Sequence, residues 1–184
     1  MPESPESVPA IVVTGATGNV GRAVVHALLQ SGLAVRALVT DPASATLDAA
    51  LPANGLASFV RFDFADPATF NSAFNGAKRL FLMRPPAIGN AAIIINVLDA
   101  ARIRGVNRVA FLSIQGAEHN PLVPHHAIEK QLMRMAAEYA SEMKSLYQQG
   151  MAVPRSLTRA TSGRPSPLRS RMQTVVPTPI ARLN

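Results

Sequence analysis

The stretch "AIVVTGATGNVGRAVVHALLQSG" at residues 10–32 decides the fold of this chain. It begins with a short β-branched apolar run, passes through Gly15, Gly18 and Gly21, and ends in an amphipathic run followed by Gly32. The first run predicts a buried strand, and the apolar spacing of the second predicts a helix. Between them the first glycine permits a sharp turn, the second lets the backbone approach a pyrophosphate, and the third lets the helix pack closely on the strand. The order therefore predicts a phosphate-binding turn, with a tight turn that binds nothing as the alternative.

The same alternation of strand and helix patterns continues to residue 148. Strands are predicted at 10–14, 33–39, 57–62, 78–83 and 107–113, and helices at 20–30, 67–74, 90–105 and 126–148. Strands that alternate with helices form βαβ units around a parallel sheet. We therefore expect an α/β protein with a Rossmann doubly wound parallel sheet.

The positive charge of the chain is concentrated at its end. The net charge is +7, yet all 11 acidic residues lie at or before Glu142, where they balance the basic ones. Beyond residue 150 the alternation stops, and the sequence is rich in proline, arginine and serine. We expect three segments: a disordered N-terminus at 1–9, a Rossmann domain at 10–148, and a basic tail at 149–184 that is disordered as well. The tail has no aromatic residues among its arginines, which argues against nucleic-acid binding.

The composition excludes several kinds of site and location. The chain has no cysteine, so it forms no disulfide, thiolate metal site or cysteine nucleophile, and we expect no metal. The opening "MPESPESVPA" is acidic and proline-rich, unlike a secretory signal. Apolar runs fall short of the roughly 20 residues that a membrane-spanning helix needs. We expect a cytoplasmic protein with no membrane association.

Two segments carry a resemblance to a known family. Residues 14–42, "TGATGNVGRAVVHALLQSGLAVRALVTDP", and 112–130, "LSIQGAEHNPLVPHHAIEK", resemble the NmrA-like atypical short-chain dehydrogenase/reductases, in particular their quinone reductase and azoreductase branch. The resemblance runs from about residue 10 to 133. It implies NADP or NAD as the cofactor and hydride transfer to a quinone-like or other small acceptor. A non-catalytic redox sensor of the NmrA kind, which reports the state of the cofactor to a protein partner, is the alternative.

The turn and the resemblance together predict a set of cofactor-binding residues. These are Gly15, Ala16, Thr17, Gly18, Asn19, Val20, Arg36, Thr40, Asp41, Asp63, Phe64, Met83, Ser113 and Lys130. Thr40 stands where the family often has an arginine for the 2′-phosphate, and the direction of Arg36 within its strand is open. Asp41 is either a ribose ligand or a plain turn residue. Asp63 matches the carboxylate that binds the adenine amino group, with a solvated loop aspartate as the alternative.

The resemblance also predicts the residues of the chemistry. In short-chain dehydrogenases a serine ends the fifth strand, and a Tyr-x-x-x-Lys pair follows on the next helix. Here Ser113 is followed by His126 in place of the tyrosine and by Lys130, which makes these three the predicted catalytic residues. We expect His126 to donate a proton and Lys130 to bind the ribose. Its neighbour His125 is expected to be a helix-start residue near solvent. Arg84 differs from the family, which usually has a small or hydroxyl residue after strand four.

The resemblance breaks after the Lys130 helix. The family continues into a strand with an Arg-Pro pair and a smaller lobe that closes the substrate pocket, and this chain shows neither. We expect the small lobe to be missing or replaced by the basic tail. The hypothesis is a truncation or frameshift after about residue 135, with a naturally divergent tail as an equal alternative; the other reading frames of the coding DNA would decide. The expected partner is a small-molecule acceptor such as a quinone, and a homodimer is left open.

Overall fold

The computed structural model describes residues 10–45, 55–148 and 172–175. These residues contain six strands: β1 Ile11–Val13, β2 Val35–Val39, β3 Ala57–Arg61, β4 Arg79–Met83, β5 Arg108–Leu112 and β6 Met172–Val175. Four α-helices accompany them: α1 Asn19–Gln30, α2 Phe70–Phe74, α3 Ala91–Ile103 and α4 Pro124–Gln148. Short 3₁₀ turns lie at Pro67–Thr69 and Ala117–His119. The N-terminal segment 1–9 lies outside the described residues.

The strands form one sheet in the order β3-β2-β1-β4-β5-β6, and the first five are parallel. The direction of the strand order reverses between β1 and β4. Ligands of such sheets bind outside the carboxyl ends of the strands, at the point of this reversal. The predicted Rossmann fold is confirmed, and it places the candidate site at the ends of β1 and β4.

Helices cover both faces of the sheet because successive strand residues point to opposite sides. Val13 packs with Val25 and Leu29 of α1 on one face. Val12 points to the other face, where a larger apolar cluster includes Leu98 of α3 and Leu132 of α4. This arrangement holds the strand ends rigidly in place beneath the candidate site.

A buried threonine joins the two strands at the reversal. Thr14, which directly follows β1, is fully buried, and its Oγ1 accepts a hydrogen bond from the Met83 N–H at 2.7 Å. The same hydroxyl lies 3.2 Å from the Met83 carbonyl oxygen and 3.4 Å from that of Phe81. It therefore fixes the end of β1 against the end of β4, and sequence reasoning did not single it out.

The sixth strand lies within the segment for which the sequence predicts no regular structure. Met172–Val175 pairs with β5 in antiparallel fashion, with Val109 opposite Val175. Backbone pairing to a free sheet edge requires no side-chain period, so a periodicity argument does not detect such a strand. The rest of the segment 149–184 lies outside the described residues. In the part of the chain that the structure describes, no helix is long and apolar enough to cross a bilayer.

Candidate cofactor and active site

The glycine turn has the geometry that its three glycines require. Gly15 has a φ of +62°, in the left-handed region that favours glycine. The Gly18 N–H donates to the Gly15 carbonyl at 3.0 Å and closes the turn. A Cβ on Gly21 would lie 2.6 Å from the Gly15 carbonyl carbon and 3.0 Å from the Ala16 Cα. Helix α1 can therefore approach the turn this closely only with glycine at position 21.

The start of α1 is open to an anion. Its cap residue Gly18 has no side chain to bond the first N–H groups of the helix. Such groups together with the helix dipole favour a phosphate. Asn19 and Val20 at the first helical positions are exposed, while Ala16 beneath them is fully buried. The backbone of the turn thus fits the pyrophosphate of a dinucleotide.

A polar pocket lies between the glycine turn and the end of β2. Its volume is about 230 Å³, and it is lined by Thr17, Arg22, Val39, Thr40, Asp41, Ser44 and Ala45. Arg22 donates to the Thr17 carbonyl oxygen at 3.1 Å. Asp41 Oδ1 accepts from the Ala43 N–H at 3.0 Å, and hydrogen bonds from the Ser44 side chain and then from Ala43 lower the pKa of Asp41. The pocket therefore presents both a cation and a carboxylate beside the glycine turn.

Arg22 is a pocket residue that sequence reasoning missed. The sequence offers one signal for it, namely its position directly after Gly21. Thr17 and Thr40, by contrast, line the pocket at the positions where the sequence predicted cofactor contacts.

Arg36, for which the sequence predicted a cofactor contact, is hydrogen-bonded away from the pocket in this structure. Its guanidinium Nη1 donates to the carbonyl oxygens of Ala73 at 2.9 Å and Asn75 at 2.8 Å, at the end of α2. Arg36 is paired in register with Val12, so its side chain leaves the sheet on the face opposite α1. The alternation of the strand thus carries it away from the pocket.

The residues after β3 are placed at the same sheet edge. Asp63 is exposed, and its Oδ1 accepts from the Ala65 N–H at 2.8 Å, as a turn-forming aspartate does. Phe64 is half-buried, with its ring edge-on to Phe62 at a centroid distance of 4.8 Å. Adenine binding by Asp63 stays a prediction, because this turn contact is compatible with either reading.

Met83 lies against the glycine turn. A Cβ on Gly15 would collide with the Met83 methyl group, and a Cβ on Gly18 would lie 3.7 Å from it. The next residue, Arg84, donates through Nη1 to the carbonyl oxygens of Pro85, Pro86 and Ile88. The guanidinium is thus folded back onto its own loop.

The serine after β5 is bonded to a buried carboxylate. Ser113 Oγ donates to Oε1 of Glu129, whose exposed fraction is only 4%. One turn earlier on α4, the His125 ring stacks on Phe111 with centroids 5.8 Å apart. Neither Glu129 nor this stacking was anticipated from the sequence.

The expectation that His125 lies near solvent is wrong, since its exposed fraction is 6%. Helix α4 begins at Pro124, which turns the first helical histidine toward the sheet and not outward. Burial lowers the pKa of His125, and the charge of Arg84 lowers it further, while Glu129 acts in the opposite direction. The neutral form of the ring is therefore favoured.

The other two predicted catalytic residues do not contact Ser113 in the described structure. His126 is half-buried, and its Nδ1 lies 2.9 Å from the Ala117 carbonyl oxygen. Lys130 is exposed. Among the described residues, no three His, Asp or Glu side chains are grouped so as to hold a metal ion.

Comparison with known proteins defines the class to which this fold and turn belong. Residues 15–152 match the family model described as NAD(P)H-binding. The chain belongs to this NAD(P)H-binding family, and its cofactor is NADP or NAD.

Individual relatives confirm the resemblance to the NmrA-like quinone reductase branch. The chain is 35% identical over 115 residues to quinone oxidoreductase 2 of Escherichia coli, covering 61% of this chain and 39% of that protein. It is 32% identical over 148 residues to cinnamoyl-CoA reductase 1 of Oryza sativa, covering 74% and 44%. The chain thus spans about two fifths of the length of the curated relatives it matches.

Solved structures support the same assignment. The NADPH complex of an NADPH-dependent quinone oxidoreductase from Escherichia coli matches with a TM-score of 0.54 and 26% identity, covering 76% of this chain and 54% of that chain. Triphenylmethane reductase from Citrobacter, complexed with NADP(H), matches with a TM-score of 0.52 and 27% identity, covering 66% and 44%. A variant of NmrA, at 21% identity and a TM-score of 0.56, shows the shared fold alone.

Proposed function

We propose that this chain is the cofactor-binding part of an NAD(P)H-dependent oxidoreductase that transfers a hydride to a quinone-like or other small acceptor. The bound nicotinamide supplies the hydride, and the acceptor takes up this hydride and one proton to give a hydroquinone. The proposal rests on the position of three residues at one edge of the sheet. Met83 ends β4, while Gly15 and Ser113 come shortly after the neighbouring strands β1 and β5.

The spacing along this edge suits an extended dinucleotide. Neighbouring strands lie about 4.8 Å apart, so Ser113 beyond β5 lies roughly 10 Å from the glycine turn beyond β1. A pyrophosphate on the turn would direct the ribose and nicotinamide past Met83 toward Ser113. The pocket at Thr17 and Arg22 lies on the other side of the turn, where the adenosine would lie.

An apolar margin beyond β5 supports a planar acceptor. Ile114 and Leu122, in the loop between β5 and α4, have exposed fractions of 44% and 90%. Large apolar side chains that are exposed in a loop beside a ligand cleft favour an apolar ligand surface. A quinone ring meets this requirement.

The proton comes from water or from a charged His126. A neutral imidazole has one N–H, and the contact of His126 Nδ1 with the Ala117 carbonyl oxygen places that hydrogen on Nδ1. Nε2 is then an acceptor, so His126 can donate from Nε2 only as the imidazolium. Lys130, one turn further along α4 and exposed, is the candidate for the nicotinamide ribose.

Titration with NADPH and with NADH, followed by addition of a quinone, tests the proposal. Quenching of the bound nicotinamide fluorescence would give the dissociation constants, and loss of nicotinamide absorbance on quinone addition would give turnover. Saturable binding and quinone-dependent oxidation are expected. If neither cofactor binds at millimolar concentration, the proposed function is refuted.

A non-catalytic sensor of the cofactor state is the second candidate. It is favoured by the hydrogen bonds of Ser113 to Glu129 and of His126 to Ala117, which leave no free proton donor on Ser113 or on a neutral His126. Cofactor binding without turnover on any quinone would favour the sensor, or an inactive fragment, over the reductase.

A further inference from the structure

A buried polar cluster lies beneath the end of β5. It consists of the half-buried Ser113, which directly follows the strand, and of Glu129 and His125 from α4, and the charge of Arg84 in the loop after β4 acts on His125. Glu129 and His125 are 4% and 6% exposed. Carboxylates are seldom this deeply buried without a bonded partner. The proposed hydride transfer gives no role to Glu129.

The hydrogen of the Ser113 hydroxyl is committed within this cluster. A serine hydroxyl has one hydrogen and two lone pairs, and an ionised carboxylate only accepts. Ser113 donates its one hydrogen to Glu129 Oε1. His125 does not compete for it, because this ring stacks on Phe111 and its buried Nδ1 has no hydrogen-bond partner among the described residues. Only acceptor capacity is left on Ser113 Oγ.

We propose that Glu129 is a positioning residue that makes the Ser113 hydroxyl a hydrogen-bond acceptor toward the cleft, so that the ligand group bound there is a donor. The inference rests on the proposed function. The nicotinamide ring carries a suitable donor in the N–H₂ of its carboxamide, whereas the carbonyl oxygens of a quinone offer none. Ser113 therefore orients the nicotinamide and does not polarise the acceptor.

A cofactor analogue provides a direct test. The 3-acetylpyridine analogue of NADP keeps the carbonyl oxygen of the side group and replaces its N–H₂ with a methyl group. The unaltered protein should bind NADP about fivefold more tightly than this analogue, the effect of one hydrogen bond. The measurement is equilibrium binding by calorimetry, so it does not depend on turnover.

Three variants of the cluster and one control variant assign the preference. Ser113→Ala removes the acceptor and should reduce the preference to less than about twofold, whereas Ser113→Thr keeps a hydroxyl and should retain it. Glu129→Met removes the acceptor of the serine hydrogen, leaves the hydroxyl free to donate and should also reduce the preference. Glu138→Met makes the same chemical change on the exposed part of the same helix, where Glu138 pairs with Arg102 at 3.8 Å, and should change nothing.

The outcomes separate the two proposals. If the unaltered protein binds neither NADP nor NAD, the proposed function fails. If it binds NADP but does not prefer it over the analogue, or if Ser113→Ala keeps the preference, the role assigned to Ser113 is refuted. If Ser113→Ala loses it and Glu129→Met folds and keeps it, the role of Glu129 is refuted. Should Glu129→Met not fold, the pair Ser113→Ala and Ser113→Thr still decides whether an acceptor at this position binds the donor.

Discussion

Replacement of Gly21 with alanine should destabilise the protein, although alanine is the better helix former. In an exposed helix interior, glycine to alanine stabilises by about 1 kcal/mol. At this position the added Cβ would meet backbone atoms, namely the Gly15 carbonyl group and the Ala16 Cα. Backbone cannot rotate out of the way as a side chain does, so the start of α1 must move away from the turn.

The size of the effect follows from the opposing terms. Forcing an extra carbon into a packed site costs about 1–3 kcal/mol. Moving the Gly15 carbonyl also strains its 3.0 Å hydrogen bond with the Gly18 N–H, worth about 1 kcal/mol. After the gain in helix propensity, a net loss of about 1–3 kcal/mol is expected. For a chain of this size that lowers the Tm by roughly 3–10 °C.

Thermal and urea unfolding with a matched variant measure this prediction. Gly89→Ala introduces the same Cβ where no atom lies within 4 Å and the φ is not positive, so its stability should change by less than about 0.5 kcal/mol. Gly21→Ala should in addition weaken NADPH binding by at least about tenfold, since a displaced turn no longer presents its N–H groups to the pyrophosphate. If Gly21→Ala unfolds at or above the temperature of Gly89→Ala and binds NADPH normally, the steric reasoning is refuted.

Three further predictions concern other parts of the site. Thr14→Val keeps the shape of the side chain but removes the acceptor of the Met83 N–H, and it should lower the free energy of unfolding in urea by about 1–3 kcal/mol; an unchanged midpoint would contradict this. Arg22→Ala should weaken the binding of NADPH more than that of NADH. Asp41→Asn should favour NADPH binding, because the lowered pKa of Asp41 leaves a carboxylate that repels a 2′-phosphate. Equal effects of each change on the binding of both cofactors would refute this. The pKa of His125 is lowered in the folded state, so the unfolded chain binds more protons once the pH falls below the ordinary histidine pKa of about 6.5. The Tm should therefore fall from pH 7 to pH 5. A similar fall in His125→Gln would show that another group is responsible.

The sequence predicted the fold well because its local signals agree with one another. Predicted strand and helix bounds lie within about two residues of those observed, with one exception. The helix predicted at 67–74 is a 3₁₀ turn at 67–69 followed by the short helix α2. The structure meets the local requirements predicted for Gly15, a sharp turn, and for Gly21, close packing of helix on strand. The antiparallel β6 was not predicted, since its four residues pair by backbone to a free edge and carry no distinctive period.

Side-chain direction was the part that the sequence could not supply. Arg36 lies in a correctly predicted strand, but alternation alone does not say which of the two alternating sets faces the pocket. Its partners at the end of α2, Ala73 and Asn75, are 37 and 39 residues away in sequence. Only the packed structure could have assigned it. Arg22 was missed for the same reason, because nothing local distinguishes an arginine that lines a pocket from a solvated one.

Side-chain direction also decides which of the two histidines at the start of α4 faces the sheet. Successive helical residues are rotated by about 100°, so the pairs 125/129 and 126/130 occupy neighbouring faces of one helix. The resemblance directs attention to His126 and Lys130, the counterparts of the Tyr-x-x-x-Lys pair. The structure turns His125 and Glu129 toward the sheet, and it is Glu129 that reaches Ser113. The loss of the tyrosine therefore removes a proton donor without removing the control of the serine. A hydride transfer whose proton comes from water needs an oriented nicotinamide more than it needs an acid, and we propose that Ser113 and Glu129 provide this orientation.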